Sequence, residues 1–236
     1  MSIRGGSHGA PRQLALVLPH AESFAREDFL SGAGNGAALT LIERWPDWPS
    51  RTVALVGPEG SGKSHLAAIW AERAGARFLA GRALGVADLP AALATGALVI
   101  EGLAPGCLNE RSLFHLLNLV REQDAHILIT ARSPPAAWPV ALADLVSRLR
   151  AVPVVTLVGP DDALLRAVLV KLFADRQLAV DESLVAYLMT RLARSFAAVR
   201  AAVDLIDREA LRLKRPVTRA LAAEIFRDAE TRGASD

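Results

Sequence analysis

Gly57-Pro58-Glu59-Gly60-Ser61-Gly62-Lys63-Ser64 stands between two runs of opposite character. Before it, Arg51-Thr52-Val53-Ala54-Leu55-Val56 is apolar and β-branched; after it, His65-Leu66-Ala67-Ala68-Ile69-Trp70-Ala71-Glu72 has helical spacing and no breaker. A G-x-x-x-x-G-K-S pattern between a strand and a helix is a phosphate-binding loop. Gly57, Gly60 and Gly62 let backbone N–H groups curl around phosphate oxygens, and the N-terminus of the following helix adds its positive dipole end. Lys63 is expected at the β- and γ-phosphates and Ser64 at Mg²⁺, with Ser61 and His65 completing the cradle.

The chain has 236 residues, enough for one large domain or a core domain with a smaller partner. Its single cysteine, Cys107, excludes an intramolecular disulfide and fits a reducing compartment. Every apolar run falls well short of the roughly 18 residues a membrane helix needs, so a cytoplasmic protein with no membrane association is expected. A net charge of +2 is too small to argue for nucleic acid by itself. Lysine occurs only at Lys63, Lys171 and Lys214, which sets Lys63 apart from the arginine-rich background.

Around the loop, strands and helices alternate. Strands are expected over 51–56, 76–80, 97–100, 126–130 and 152–157, with helices from the loop to 74, over 110–124 and near 141–147. This alternation predicts an α/β fold with a parallel sheet covered on both faces. After Gly159-Pro160 the pattern changes to helices alone, starting near Asp161, Asp181, Ser195 and Thr218. The division expected is a flexible tail over 1–22, a nucleotide-binding domain over 23–158 and a small helical domain over 159–236.

Several other residues suit a nucleotide site. Glu101 closes the apolar run Leu98-Val99-Ile100, where a carboxylate would hold Mg²⁺ through water; a solvated strand-end acid is the alternative. The next residue is Gly102, whereas hydrolysing enzymes of this class often carry a second acid there, so weak intrinsic hydrolysis is expected. Thr130 ends the strand Ile127-Leu128-Ile129 and is either a γ-phosphate sensor or an ordinary β-branched strand residue. Arg148, before the last strand, is either an arginine finger reaching a neighbouring subunit's nucleotide or a salt-bridge partner. Arg191, Arg194 and Arg200 either fold back on the phosphates or face solvent. In the tail, Gln13 precedes alternating Leu14, Leu16 and Leu18, which would present one face to an apolar groove or add a strand to the sheet.

In this order and spacing the motifs resemble the AAA+ family, and within it the DnaA-related group with its regulatory inactivators of DnaA. The resemblance runs from Gln13 to Phe226. Besides the loop it rests on Ser23-Phe24-Ala25-Arg26-Glu27-Asp28-Phe29, Ile129-Thr130-Ala131-Arg132-Ser133-Pro134-Pro135, Asp144-Leu145-Val146-Ser147-Arg148-Leu149 and Asp204-Leu205-Ile206-Asp207-Arg208. It implies an AAA+ P-loop domain followed by a helical lid, with ADP or ATP and Mg²⁺ as ligands. It further implies that Gln13, Leu14, Leu16 and Leu18 bind the sliding clamp, the β subunit of the replicative polymerase. Phe29 would pack beside adenine, Arg194 would be the lid's phosphate sensor, and Arg148 would act in trans on ATP held by DnaA. The predicted elements leave no segment for a helix-turn-helix domain, so no direct sequence-specific DNA binding is expected. A self-contained ATPase of the loader or remodelling type, working as a homo-oligomer, is the other reading. A small-molecule kinase is disfavoured because it gives the lid and Arg148 no purpose.

Overall fold

The computed structural model describes residues 24–233. The clamp-binding candidates Gln13, Leu14, Leu16 and Leu18 lie outside them. Five strands form one sheet: β1 (Thr52–Val56), β2 (Arg77–Ala80), β3 (Ala97–Leu103), β4 (His126–Ala131) and β5 (Val154–Thr156). All pairings are parallel, in the order β2-β3-β4-β1-β5. β1 is therefore flanked by β4 and β5, and the chain leaving it must cross over to the far edge. In open α/β sheets, ligands bind beyond the carboxyl ends of the strands where such a reversal opens a crevice.

Period-2 alternation explains how the sheet holds its two faces. Val53 and Leu55 of β1 join one core with Val99 and Leu128, while Ala54 and Val56 join the other with Leu98, Ile100, Ile127 and Ile129. The first core is covered by α1 (Gly36–Glu43) and α2 (Lys63–Ala74) through Ala38, Leu39, Ile42, Leu66, Ile69 and Trp70. A four-residue helix, α3 (Leu89–Ala92), follows β2. On the opposite face lie α4 (Glu110–Glu122) and α5 (Ala143–Arg150), contributing Leu113, Leu116, Leu117, Val120, Leu145 and Leu149. α4 is started by Asn109, whose side chain accepts the Ser112 N–H at 3.0 Å. Helix α1 falls in a stretch for which the sequence predicts no element.

A third core belongs to α6 (Asp162–Asp175), α7 (Glu182–Arg191), α8 (Phe196–Leu213) and α9 (Arg219–Gly233). Leu169, Phe173, Leu184, Leu188, Val203 and Ile206 are fully buried in it. Asp161, Asp181 and Ser195 cap α6, α7 and α8, each side chain accepting an N–H three residues on. Arg176, its side chain almost wholly buried, pairs with Asp204 and Asp207 and so ties the end of α6 to α8.

Candidate nucleotide site

The loop sits at the carboxyl end of β1, and its shape follows from close packing. Gly57 donates its N–H to the Ala131 carbonyl at 3.1 Å. A Cβ there would stand 2.4 Å from the Leu157 carbonyl oxygen, so only glycine lets β1 turn beside the chain leaving β5. Gly60 and Gly62 have φ of +72° and +95°, the left-handed region open to glycine, and Gly62 caps α2.

Lys63 curls over the loop. Its ammonium donates to the Gly57 carbonyl at 2.8 Å, the Pro58 carbonyl at 2.6 Å and the Ser61 hydroxyl at 3.3 Å. Burial, aided by Arg132, lowers the Lys63 pKa from the ordinary lysine value, and Glu59 works against that. Ser61 is buried, and it serves the loop as an internal acceptor rather than as part of the cleft wall.

A cleft of about 360 Å³ opens above the loop, between sheet and helical lid. Gly60, Gly62, Lys63, Ser64 and His65 form one wall, and Phe24, Asp28 and Phe29 of the N-terminal segment form another. The third is Val168 of α6 with Phe196, Arg200 and Asp204 of α8. His65 is buried; its Nε2 donates to the Ala25 carbonyl at 3.1 Å, and its ring meets Phe24 and Phe29 edge-on at 5.3 and 5.2 Å. His65 thus pins the 24–30 segment against α2, and that contact places Phe29 at the cleft.

Arg200 is the lid's cationic contribution. Its guanidinium lies 5.7 Å from the centre of the Phe24 ring. Arg194 is placed differently: its side chain is 76 % exposed, pairs with Asp162 at 3.0 Å and is not part of the cleft wall. Of the two arginines, Arg200 and not Arg194 lines the cleft. Arg191 stacks on Tyr187 and lies outside the cleft wall too.

Glu101 and Thr130 are joined through the backbone. Ile100 pairs with Ile129 and Leu103 with Ala131, so β3 carries one extra residue at Glu101-Gly102, a β-bulge. Gly102 has φ +66°, and its N–H donates to the Thr130 hydroxyl at 2.9 Å. Thr130 is buried, on the strand between β1 and β3, and its oxygen secures the bulge that aims Glu101 outward. The residue after the acid is thus a left-handed glycine with no side chain to act on water.

These features suit a bound nucleotide. The left-handed glycines, the N-terminus of α2, Lys63 and Arg200 provide donors and positive charge for phosphates, and Phe24 and Phe29 provide apolar surface. The Ser64 hydroxyl, in the cleft wall, is a hard oxygen donor of the kind Mg²⁺ uses alongside phosphate and water; the exposed Glu101 carboxylate, a donor of the same kind, is not part of that wall.

Arg148 lies elsewhere. Its guanidinium sits 4.6 Å over the Phe114 ring of α4, and its buried Nη1 has no hydrogen-bond partner among the described residues. It lines a second pocket, of about 350 Å³, with Arg51 and Thr52, where β1 begins, and with Leu117, Val120, Arg121 and Val152. That is the end of β1 opposite the loop, roughly 15 Å away at the rise of a strand. Arg148 therefore cannot serve the nucleotide of its own loop.

No protein-family model matches the chain, and no curated protein matches it in sequence. Solved structures do. Domain III of the replication initiation protein DnaA from Thermotoga maritima is 18 % identical with a TM-score of 0.70, over 87 % of this chain and 96 % of that one. A replication initiator DnaA bound to AMPPCP and single-stranded DNA is 15 % identical, TM-score 0.62, over 85 % and 70 %. The Thermotoga maritima RuvB Holliday junction branch migration motor is 16 % identical, TM-score 0.67, over 87 % and 72 %. The fold is that of an AAA+ P-loop domain with a helical lid. Among the described residues no helix is long and apolar enough to cross a membrane.

Proposed function

We propose that this chain is a nucleotide-bound AAA+ adaptor of the type that regulates DnaA. Held on the DNA-loaded sliding clamp by Gln13, Leu14, Leu16 and Leu18, it supplies Arg148 to ATP bound by DnaA and stimulates its hydrolysis. The consequence is restraint of repeated initiation of chromosome replication. The observation that carries the reading is the separation of its two halves. The cleft at Lys63 has its own lid and cation, while Arg148 lines a separate pocket at the opposite end of β1.

The glycine at Gly102 supports the same division of labour. A nucleotide in the cleft, ADP or ATP with Mg²⁺, would bridge the loop and α8 and set the angle between sheet and lid. Lys63, Ser64 and Arg200 would hold it, with Glu101 reaching the metal and Phe24 and Phe29 lying beside the base. Intrinsic turnover would be slow because Gly102, not a second acid, follows Glu101. In the partner, the Arg148 guanidinium would neutralise charge on the phosphoryl group in transit, a contribution of about 10³–10⁵ in rate where fingers have been measured.

The test follows labelled nucleotide pre-bound to DnaA, with and without this protein and loaded clamp. Hydrolysis should rise at least about tenfold, and Arg148→Ala should abolish the rise while keeping nucleotide and clamp binding. Gln13→Ala should remove clamp binding and stimulation together. Full stimulation by Arg148→Ala refutes the finger role. Rapid turnover by the chain alone favours the self-contained motor, a reading to which the intact Lys63 and Ser64 and the likeness to RuvB lend support.

A further inference from the structure

We infer that Phe114 stores Arg148 in a retracted pose, so that the finger is gated by its own subunit. This rests on Arg148 acting in trans. Three observations carry it. The guanidinium lies over the Phe114 ring at 4.6 Å, so an aromatic face, not an acid, holds the charge. Its Nη1 is buried without an acceptor among the described residues, so the pose leaves one strong donor unsatisfied. The other charged side chains lining this pocket, Arg51 and Arg121, are cations that offer Nη1 no acceptor, and Arg121 lies two turns beyond Phe114 on the same face of α4.

Such a pose is held against return to solvent by the ring, yet it is poorer than any site that offers oxygen atoms to Nη1. A phosphate of a partner's nucleotide offers them. Phe114 is thus a positioning residue acting through Arg148. Because only the extended fraction of the arginine engages, the apparent affinity for the partner falls by that fraction.

Substitutions at Phe114 should therefore act in both directions. Phe114→Leu removes the π-face and should lower the concentration of this protein giving half-maximal stimulation of DnaA-bound ATP hydrolysis by about three- to tenfold. Phe114→Trp strengthens the face and should raise it by a similar factor, with the maximal rate unchanged in both. A merely structural role predicts impairment by both variants. Arginine Nε–H resonances of the full chain provide a second readout without DnaA. Arg148 should be displaced upfield by the Phe114 ring current and should return to the ordinary position in Phe114→Leu.

An undisplaced Arg148 resonance in the wild-type protein overturns the inference, as does a half-maximal concentration that stays constant or rises in Phe114→Leu. Either result leaves the finger itself standing if Arg148→Ala is inactive. Absence of stimulation by the wild-type protein, or full stimulation by Arg148→Ala, removes the function and the gate together.

Discussion

Arginines carry most of the positive charge of this chain, and Arg194, before the cap of α8, and Arg200, within it, are placed differently. Arg194 is exposed beside Asp162, and exposed pairs contribute little, about 0–1 kcal/mol. Arg200 lines the cleft, where a charge-assisted bond to phosphate is worth about 1.5–3 kcal/mol. Titrating a fluorescent ADP should thus give an affinity loss of about tenfold or more for Arg200→Ala and less than about twofold for Arg194→Ala. His126 illustrates another residue-scale effect. It lies 6.0 Å from both the Trp45 and Trp48 rings, and burial first, then Arg51, lowers its pKa while Asp124 opposes. The unfolded chain then binds the proton more readily. Stability should be full above the ordinary histidine value near 6.5, fall as pH drops below it, and level off beneath the lowered folded value. Urea unfolding at pH 7.5 and 5.0 should show a smaller acid loss for His126→Gln than for the wild type.

At the scale of elements, the informative unit is the pair of strands β3 and β4. Glu101 stands out in the sequence because an acid closes an apolar run, and Thr130 because a hydroxyl closes the next. That the two meet through a bulge was not legible. A bulge is a mismatch of register between two strands, and no single strand's sequence contains it. The hydrogen bond from Gly102 to Thr130 makes the acid strand depend on its neighbour. Thr130→Val keeps shape and β-propensity but removes that acceptor from the N–H of exposed Gly102, which should cost about 0.5–1.5 kcal/mol. Thr130→Ser should restore most of it. Chemical denaturation of the three proteins decides; equal stability for Thr130→Val would assign the hydroxyl no part in the bulge.

Across the whole molecule, the nucleotide cleft exists only because the lid is set against the sheet domain. Lys171 of α6 reaches Asp28 of the N-terminal segment at 2.5 Å and Asp175 at 2.8 Å. Both Lys171 and Asp28 are only 24 % exposed, so this bridge is better shielded than a surface pair. Together with Phe196 packed near Gly62, it fixes how closely α8 covers the loop. Lys171→Ala should open that contact, weakening ADP binding by about two- to fivefold and raising amide exchange over 24–30, while the cores of the sheet and lid keep their protection. Unchanged exchange in that segment would show that Phe24, Phe29 and His65 hold it alone.

The chain by itself determined the phosphate loop, the alternating elements of a parallel sheet and the all-helical lid, because each is written in local spacing: glycines at a turn, period 2 in strands, capping acids before helices. Local spacing could not rank Arg194 against Arg200, since which arginine meets the cleft depends on the packing of α8 over the loop. It could not show that Arg148 rests on Phe114, a contact between helices 34 residues apart in sequence. Nor could it tell that the glycine after Glu101 is committed to a left-handed bulge. Those were decided by tertiary structure, because each depends on where one element's surface falls against another's.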